Sequence, residues 1–343
     1  MIAGPHVDGG ICDDDRKLLS QAAAFSEFPT LEDCAAPRLA ELARARGLDL
    51  ATAILYDRLL RAPEHGSFFR HVQTAEDVLE VKPLLVGIVP GAFYREHQNT
   101  GADGARIARL AESLNCTVQQ IPLRSFGALA ENASIIANWL RSRRGCRCLL
   151  VSLSKGGADL KVTLSLPNAT ELFESVVAWV SLSGLVQGTL LVQWLGSQPL
   201  RRLGVRLLLR LRGHRYSVID QLRHGPGTQL ADWPALPERL RVIHMFGFPL
   251  RRHLTHPWAP RGYARLAPLG PNDGGGILLS DVARLPGTII PVWGADHYLQ
   301  PGWDTMPLLR RVLVTAMSAS DEFRHANQSA SQPNAAPASK SSA

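Results

Sequence analysis

Cysteine, aromatic residues and long apolar runs are all scarce in this chain, and each scarcity removes a class of protein. The five cysteines, Cys12, Cys34, Cys116, Cys146 and Cys148, form an odd set without framework spacing. A disulfide scaffold is therefore not expected, and a reducing, cytoplasmic setting is. Cys146 and Cys148 stand one residue apart with no accompanying ligand pattern, which does not make a zinc site, and the motifs imply neither a metal nor an organic cofactor. Aromatics are 6% of the residues and are not interleaved with basic ones, so nucleic acid is not an expected partner despite a net charge of +7. No run reaches transmembrane length. Near the N-terminus stand His6, Asp8 and three aspartates, Asp13 to Asp15, in place of a basic segment leading into an apolar core, so no secretory signal is expected.

What remains is an ordinary globular composition, with 343 residues, 45% hydrophobic and 20% charged, enough for one large α/β domain with additions. Residues 1–16 read as irregular. From 17 to 61 apolar residues recur at helical spacing, for example Leu39, Leu42 and Ala43, then Ile54, Leu55, Leu59 and Leu60, so 1–80 is expected to be an N-terminal helical extension packed on the main domain. His65 and His71, beside Phe68 and Phe69, carry no ligand pattern and receive no chemical role. Beyond residue 81 strand and helix signals alternate, the pattern of a mostly parallel sheet with helices on its faces. Strands are expected over 84–89, 117–121, 148–153, 176–182, 240–246 and 288–292. A segment at 185–238 returns to helical patterning, and a last helix is expected to end near Met317. Residues 318–343 are rich in Ser, Ala, Pro and Asn without apolar periodicity and read as a disordered tail.

The most informative stretch runs from Cys148 to Asp159. An apolar strand meets Ser154, and Gly156 and Gly157 allow a tight turn into a helix. A serine so placed is either the helix N-cap or an exposed nucleophile. A nucleophilic serine needs a base, and the base needs an acid to hold its tautomer. His297, in Gly-Ala-Asp-His after the last strand, is the candidate base. Asp273, in Asn-Asp-Gly-Gly-Gly, is the candidate acid, although Asn-Asp-Gly is also a plain turn signal and Asp281 and Asp296 are alternatives.

The serine, acid, histidine order and the strand–serine–helix turn resemble α/β-hydrolases of the serine esterase and lipase kind over about residues 81–317. The resemblance implies an α/β-hydrolase fold with a core of 81–184 and 239–317 and a helical cap at 185–238. It implies Ser154 as nucleophile, Asp273 as acid and His297 as base. An oxyanion-hole amide would come from Ala92 or Phe93 in Pro90-Gly91-Ala92-Phe93, and a second from Lys155. Three features depart from the pattern. Ser152 replaces the first elbow glycine, no His-Gly pair precedes the oxyanion loop, and about 26 residues separate Phe246 from Asp273. The activity implied is hydrolysis of a carboxylic ester or thioester with a small or medium apolar acyl group, through an acyl-serine. The alternatives are acyl transfer by the same triad, or a catalytically silent fold that binds a small apolar ligand or a partner.

The cap carries Trp194, Leu195 and five leucines (Leu200, Leu203, Leu207, Leu208, Leu211) beside Arg201, Arg202, Arg206, Arg210, Arg212 and Arg215. It is expected to roof the acyl pocket with its arginines outward; the alternative is peripheral contact with an anionic membrane.

Overall fold

The computed structural model describes residues 11–74, 84–97 and 100–330. The irregular stretch expected at 1–10, the boundary expected at 80/81 and the end of the tail, 331–343, lie outside the described residues. Four helices come first: α1 (Asp13–Ala23), α2 (Ala36–Arg46), α3 (Leu48–Arg61) and α4 (Pro63–Thr74). Helix begins at Asp13 rather than near residue 17 because three carboxylates in its first turn face the positive end of the helix dipole. There follow β1 (Leu85–Val89), α5 (Ala105–Ser113), β2 (Thr117–Gln120), α6 (Leu129–Arg141), β3 (Cys148–Leu153), α7 (Lys155–Leu164), α8 (Ala169–Leu172) and β4 (Val176–Leu182). Three helices then intervene, α9 (Leu190–Gly196), α10 (Pro199–Leu211) and α11 (Ser217–Gln221). The chain ends its described part with β5 (Arg241–Phe248), α12 (Ala259–Leu266), α13 (Leu279–Val282), β6 (Thr288–Trp293) and α14 (Met306–Ala330).

The six strands form one sheet in the order β2-β1-β3-β4-β5-β6, parallel at every pairing. Strand side chains alternate between two apolar layers. Leu149 and Val151 of β3 join α4, α5 and α14, whereas Leu150 joins α6, α7 and the first three N-terminal helices. Both faces are covered, which is why the inner strands read as near-continuous apolar runs.

Helix α1 is tied to the ends of the sheet by a buried carboxylate. Asp15 accepts a hydrogen bond from Trp293 Nε1 at 3.1 Å, lies 3.0 Å from His253 Nε2 and pairs with Arg252. Beside it the Tyr56 ring lies 5.8 Å from that of Phe248 and 5.0 Å from that of Trp293, so α3 packs on the ends of β5 and β6.

Helix α14 extends to Ala330, past residue 318 where the expected tail begins. The physical reason is the lack of a breaker: no glycine or proline occurs between Pro307 and Pro333, so the helix propagates past the end of its apolar stripe.

The topology places the site. The chain runs from β1 outward to β2, then crosses back to add β3 and the remaining strands on the other side. Loops after β1 and β3 therefore diverge and leave a crevice at the C-terminal ends of these strands, where α/β sheets bind ligands.

Candidate active site

Ser154 follows the last residue of β3 and lines that crevice. Its backbone is at φ 46° and ψ −115°, a positive φ that is strained for a residue with a Cβ. The turn is pinned on both sides: Ser154 N–H donates to Leu182 O (3.0 Å), and Ser154 O accepts from Gly157 N (3.0 Å) and Leu185 N (2.9 Å). Gly156 is required by close approach, since a Cβ there would lie 2.5 Å from Val89 O and 2.6 Å from Pro90 O. The serine hydroxyl does not cap α7, which removes the N-cap alternative. It lies 3.0 Å from His297 Nε2.

Ser152, at the departed glycine position, is accommodated by a partner rather than by space. Its hydroxyl accepts a hydrogen bond from the buried Trp179 Nε1 at 2.8 Å. A glycine there would orphan that N–H, at a cost of about 1–3 kcal/mol, so the serine is consistent with the elbow.

Asp273 is fully buried. Its Oδ1 accepts the backbone N–H groups of Gly275 (2.9 Å), Gly276 (3.0 Å) and Ile277 (2.9 Å), and its Oδ2 lies 2.5 Å from His297 Nδ1. The backbone repeats the link, with His297 N–H donating to Asp273 O at 2.8 Å. An ionised carboxylate only accepts, so Nδ1 carries the proton and Nε2 is left to accept from Ser154. Burial disfavours the imidazolium, but the charge of Asp273, its hydrogen bond and the charge of Asp296 outweigh it and raise the His297 pKa above its usual value.

The other two acids are otherwise engaged. Asp281 faces His224 Nε2 at 3.3 Å. Asp296 accepts from the N–H groups of Tyr298 (3.0 Å), Thr255 and His256 (3.3 Å each). Burial raises its pKa against those bonds.

Ala92, Phe93 and Ser154 all line the cleft. Phe93, however, does not have a free amide, because its N–H donates to Ser125 O at 2.9 Å. That corrects its candidacy as an oxyanion donor. Among the described residues no hydrogen bond engages the backbone N–H of Ala92 or of Lys155. The Lys155 amide also opens α7, at the positive end of the helix dipole.

The Lys155 side chain has a different partner, which sequence reasoning missed. It is buried beneath the elbow with Nζ 2.6 Å from Asp159 Oδ1, while Asp159 Oδ2 accepts from Asn132 Nδ2 of α6 at 3.0 Å. Burial pushes the Asp159 carboxyl up to about 6, against the lowering effects of Lys155 and Asn132. Residues 132 and 159 lie in separate helices, and nothing in the sequence pairs them. Gly275 is required by close approach to the imidazole, since a Cβ there would lie 2.0 Å from His297 Cγ.

The cleft above Ser154 has a volume of about 240 Å³. Its inner wall is apolar, built by Leu153, Leu182, Met245 and Val292 at the ends of four adjacent strands with Ile107 of α5 and Leu309 of α14. Trp258 and Tyr298 stand at the other side, where His256 stacks on Tyr298 at 3.7 Å. No residue of 185–238 lines it, so the expected roof is not formed. α10 turns only Leu209 inward and leaves its other leucines to solvent.

No family model and no characterised protein matches the sequence. Solved structures do match the fold. A metagenomic carboxyl esterase aligns at a TM-score of 0.50 and 20% identity, over 71% of this chain and 79% of that one. A lipase of Bacillus licheniformis in its mature form aligns at 0.48 and 21%, over 66% and 88%. An extracellular alpha/beta-hydrolase from a Paenibacillus species aligns at 0.36 and 12%, over 69% and 99%.

Gly275→Ala should push the imidazole off Ser154 without unfolding the protein. The rate of Ser154 modification by a fluorophosphonate should fall about a hundredfold, as a displacement of about 1 Å does in a preorganised site, while the thermal midpoint stays close to that of the parent. An unchanged rate would show that the loop yields instead.

Proposed function

The chain has the α/β-hydrolase fold, and on that scaffold we propose that it is a serine hydrolase of carboxylic esters or thioesters. The observation that carries this reading is the unbroken series from Asp273 through His297 to the Ser154 hydroxyl, ending at the floor of an apolar cleft.

In this proposal Ser154 Oγ attacks the substrate carbonyl carbon while His297 Nε2 takes its proton. Negative charge gathers on the carbonyl oxygen and is met by the Ala92 and Lys155 amides. The tetrahedral intermediate collapses by breaking the bond to the leaving alcohol or thiol, which receives the proton from His297. Water then repeats the sequence on the acyl-Ser154 and releases the carboxylic acid. Asp273 keeps the imidazole in the tautomer with Nε2 free and stabilises the imidazolium as it forms. The apolar inner wall fits a small or medium acyl chain. All five cysteines are free thiols, and a reducing, cytoplasmic setting belongs to the same proposal.

A fluorophosphonate probe tests the nucleophile. The folded parent should be labelled and Ser154→Ala should not; labelling that survives the substitution, or an unlabelled parent, would overturn the proposal.

The raised His297 pKa sets the pH profile. The base must be neutral, so kcat/KM should rise with pH and level off beyond an inflection above 6.5, the ordinary histidine value. Asp273→Asn removes both of the main raising causes; it should move the inflection down and lower kcat by about 10⁴. A flat profile between pH 5 and 8 would contradict the assignment of His297 as base.

Acyl preference should respond to the inner wall. Leu309→Phe shortens the cleft, and the ratio of octanoyl to acetyl ester turnover should fall by about tenfold or more, within the 10–200-fold range of one-methylene discrimination. An unchanged ratio would place the acyl group elsewhere.

A further inference from the structure

Helix α10 exposes an apolar face that its own fold does not use. Leu200, Leu203, Leu207, Leu208 and Leu211 are 85%, 63%, 58%, 46% and 76% exposed. Four of them, Leu200, Leu203, Leu207 and Leu211, recur at i, i+3, i+7 and i+11, so they form a single stripe on one side of the helix. The opposite side holds Leu209, which is buried with Phe126 and Val218, and Val205, which packs against the same group. The outward stripe is therefore not the anchor of the helix. Nor is it a wall of the cleft, whose lining contains no residue of α10.

Charge says what can cover this face. At about 3.6 residues per turn, Arg201 and Arg212 border the stripe on one edge and Arg206 and Arg210 on the other. The side chains of Arg202 and Arg206 lie over the Tyr216 ring at 5.6 and 5.0 Å, and Arg201 lies over Trp194 at 5.1 Å. The stretch 190–219 contains six arginines and no aspartate or glutamate. A second copy of the chain laid along this stripe would bring two unpaired rows of arginine together with no acid to meet them. A surface of phospholipid anions meets both requirements at once: leucines enter the boundary between headgroups and acyl chains while arginines bind phosphate.

We propose that α10 is a docking helix that seats the protein on an anionic phospholipid surface. The helix lies close to the catalytic cleft, since Ala92 and Phe93 of the cleft pack against the cluster of Phe126, Leu209 and Val218 that anchors it. No helix among the described residues is long and apolar enough to cross a membrane. The association is therefore peripheral, and it weakens as salt shortens the screening length from about 10 Å at 0.1 M to about 3 Å at 1 M.

The test is co-sedimentation of full-length Ser154→Ala protein with phosphatidylcholine vesicles, with and without phosphatidylglycerol. The serine variant separates binding from any turnover, so the outcome is independent of whether the protein is a hydrolase. Protein should pellet with the anionic vesicles at low salt and about tenfold less with phosphatidylcholine alone or in 1 M salt. Adding Leu207→Ser with Leu211→Ser, or Arg206→Glu with Arg210→Glu, should each reduce pelleting about tenfold or more. These side chains face solvent, and an unchanged thermal midpoint would show that the fold is kept. Absence of pelleting with anionic vesicles would overturn the proposal, as would pelleting that the leucine pair does not affect. So would a parent that is dimeric in solution and becomes monomeric in the leucine variant, because the stripe would then be covered by a second copy.

Discussion

A carboxylate buried with a single imidazole beside it governs the geometry of this molecule's cleft. Asp273 is fully enclosed, and an ionised group in that position is tolerated only when its oxygens are saturated with hydrogen bonds. Three backbone amides and one imidazole supply them. At about 1.5–3 kcal/mol for each bond to a charged group, four such bonds offset several kcal/mol of desolvation. The consequence is conformational. The loop of Gly274, Gly275 and Gly276 must fold around Oδ1, the imidazole must lie across Gly275, and Nε2 is thereby aimed at Ser154.

The serine side of the cleft is held by a different means. Its positive φ is a local cost, offset by contacts that leave the turn no alternative: Gly156 against the carbonyls that end β1, and Ser152 against Trp179. Under the turn, Lys155, Asp159 and Asn132 tie the first turn of α7 to α6. Removing either charge of that pair would strand the other in the core, which is more damaging than losing a surface pair. The strained residue therefore rests on a rigid support, as a preorganised hydroxyl requires.

The inserted helices divide their duties unevenly. Their polar ends attach to the core, with Gln221 Oε1 accepting from Leu129 N at 2.8 Å and His224 facing Asp281. α10 itself touches the core through a narrow anchor and presents its leucines outward. An insertion that covered the cleft would bury those side chains. This one leaves the cleft walls to the strand ends, the β1 loop, α5, α14, Trp258 and the residues after β6.

Local physics was legible in the residues themselves. Near-continuous apolar runs marked the inner strands, because a strand covered on both faces has little polar side to show. The small residues around Ser154 marked a tight strand-to-helix turn, and the order of serine, acid and histidine suggested which three to compare. The choices among neighbours were made only by tertiary structure. Asp273 rather than Asp281 or Asp296 faces His297 because the glycine loop folds back some two dozen residues after β5. Ala92 rather than Phe93 keeps a free amide because Ser125, thirty-odd residues away, takes the other. The amphipathic pattern of α10 showed two faces but not which one turns inward, and helix propensity without a breaker carried α14 past the point where its apolar stripe ends. Periodicity and turn chemistry act over a few residues and can be read along the chain. Hydrogen-bond partners and the direction a face turns depend on segments that meet only when the sheet closes.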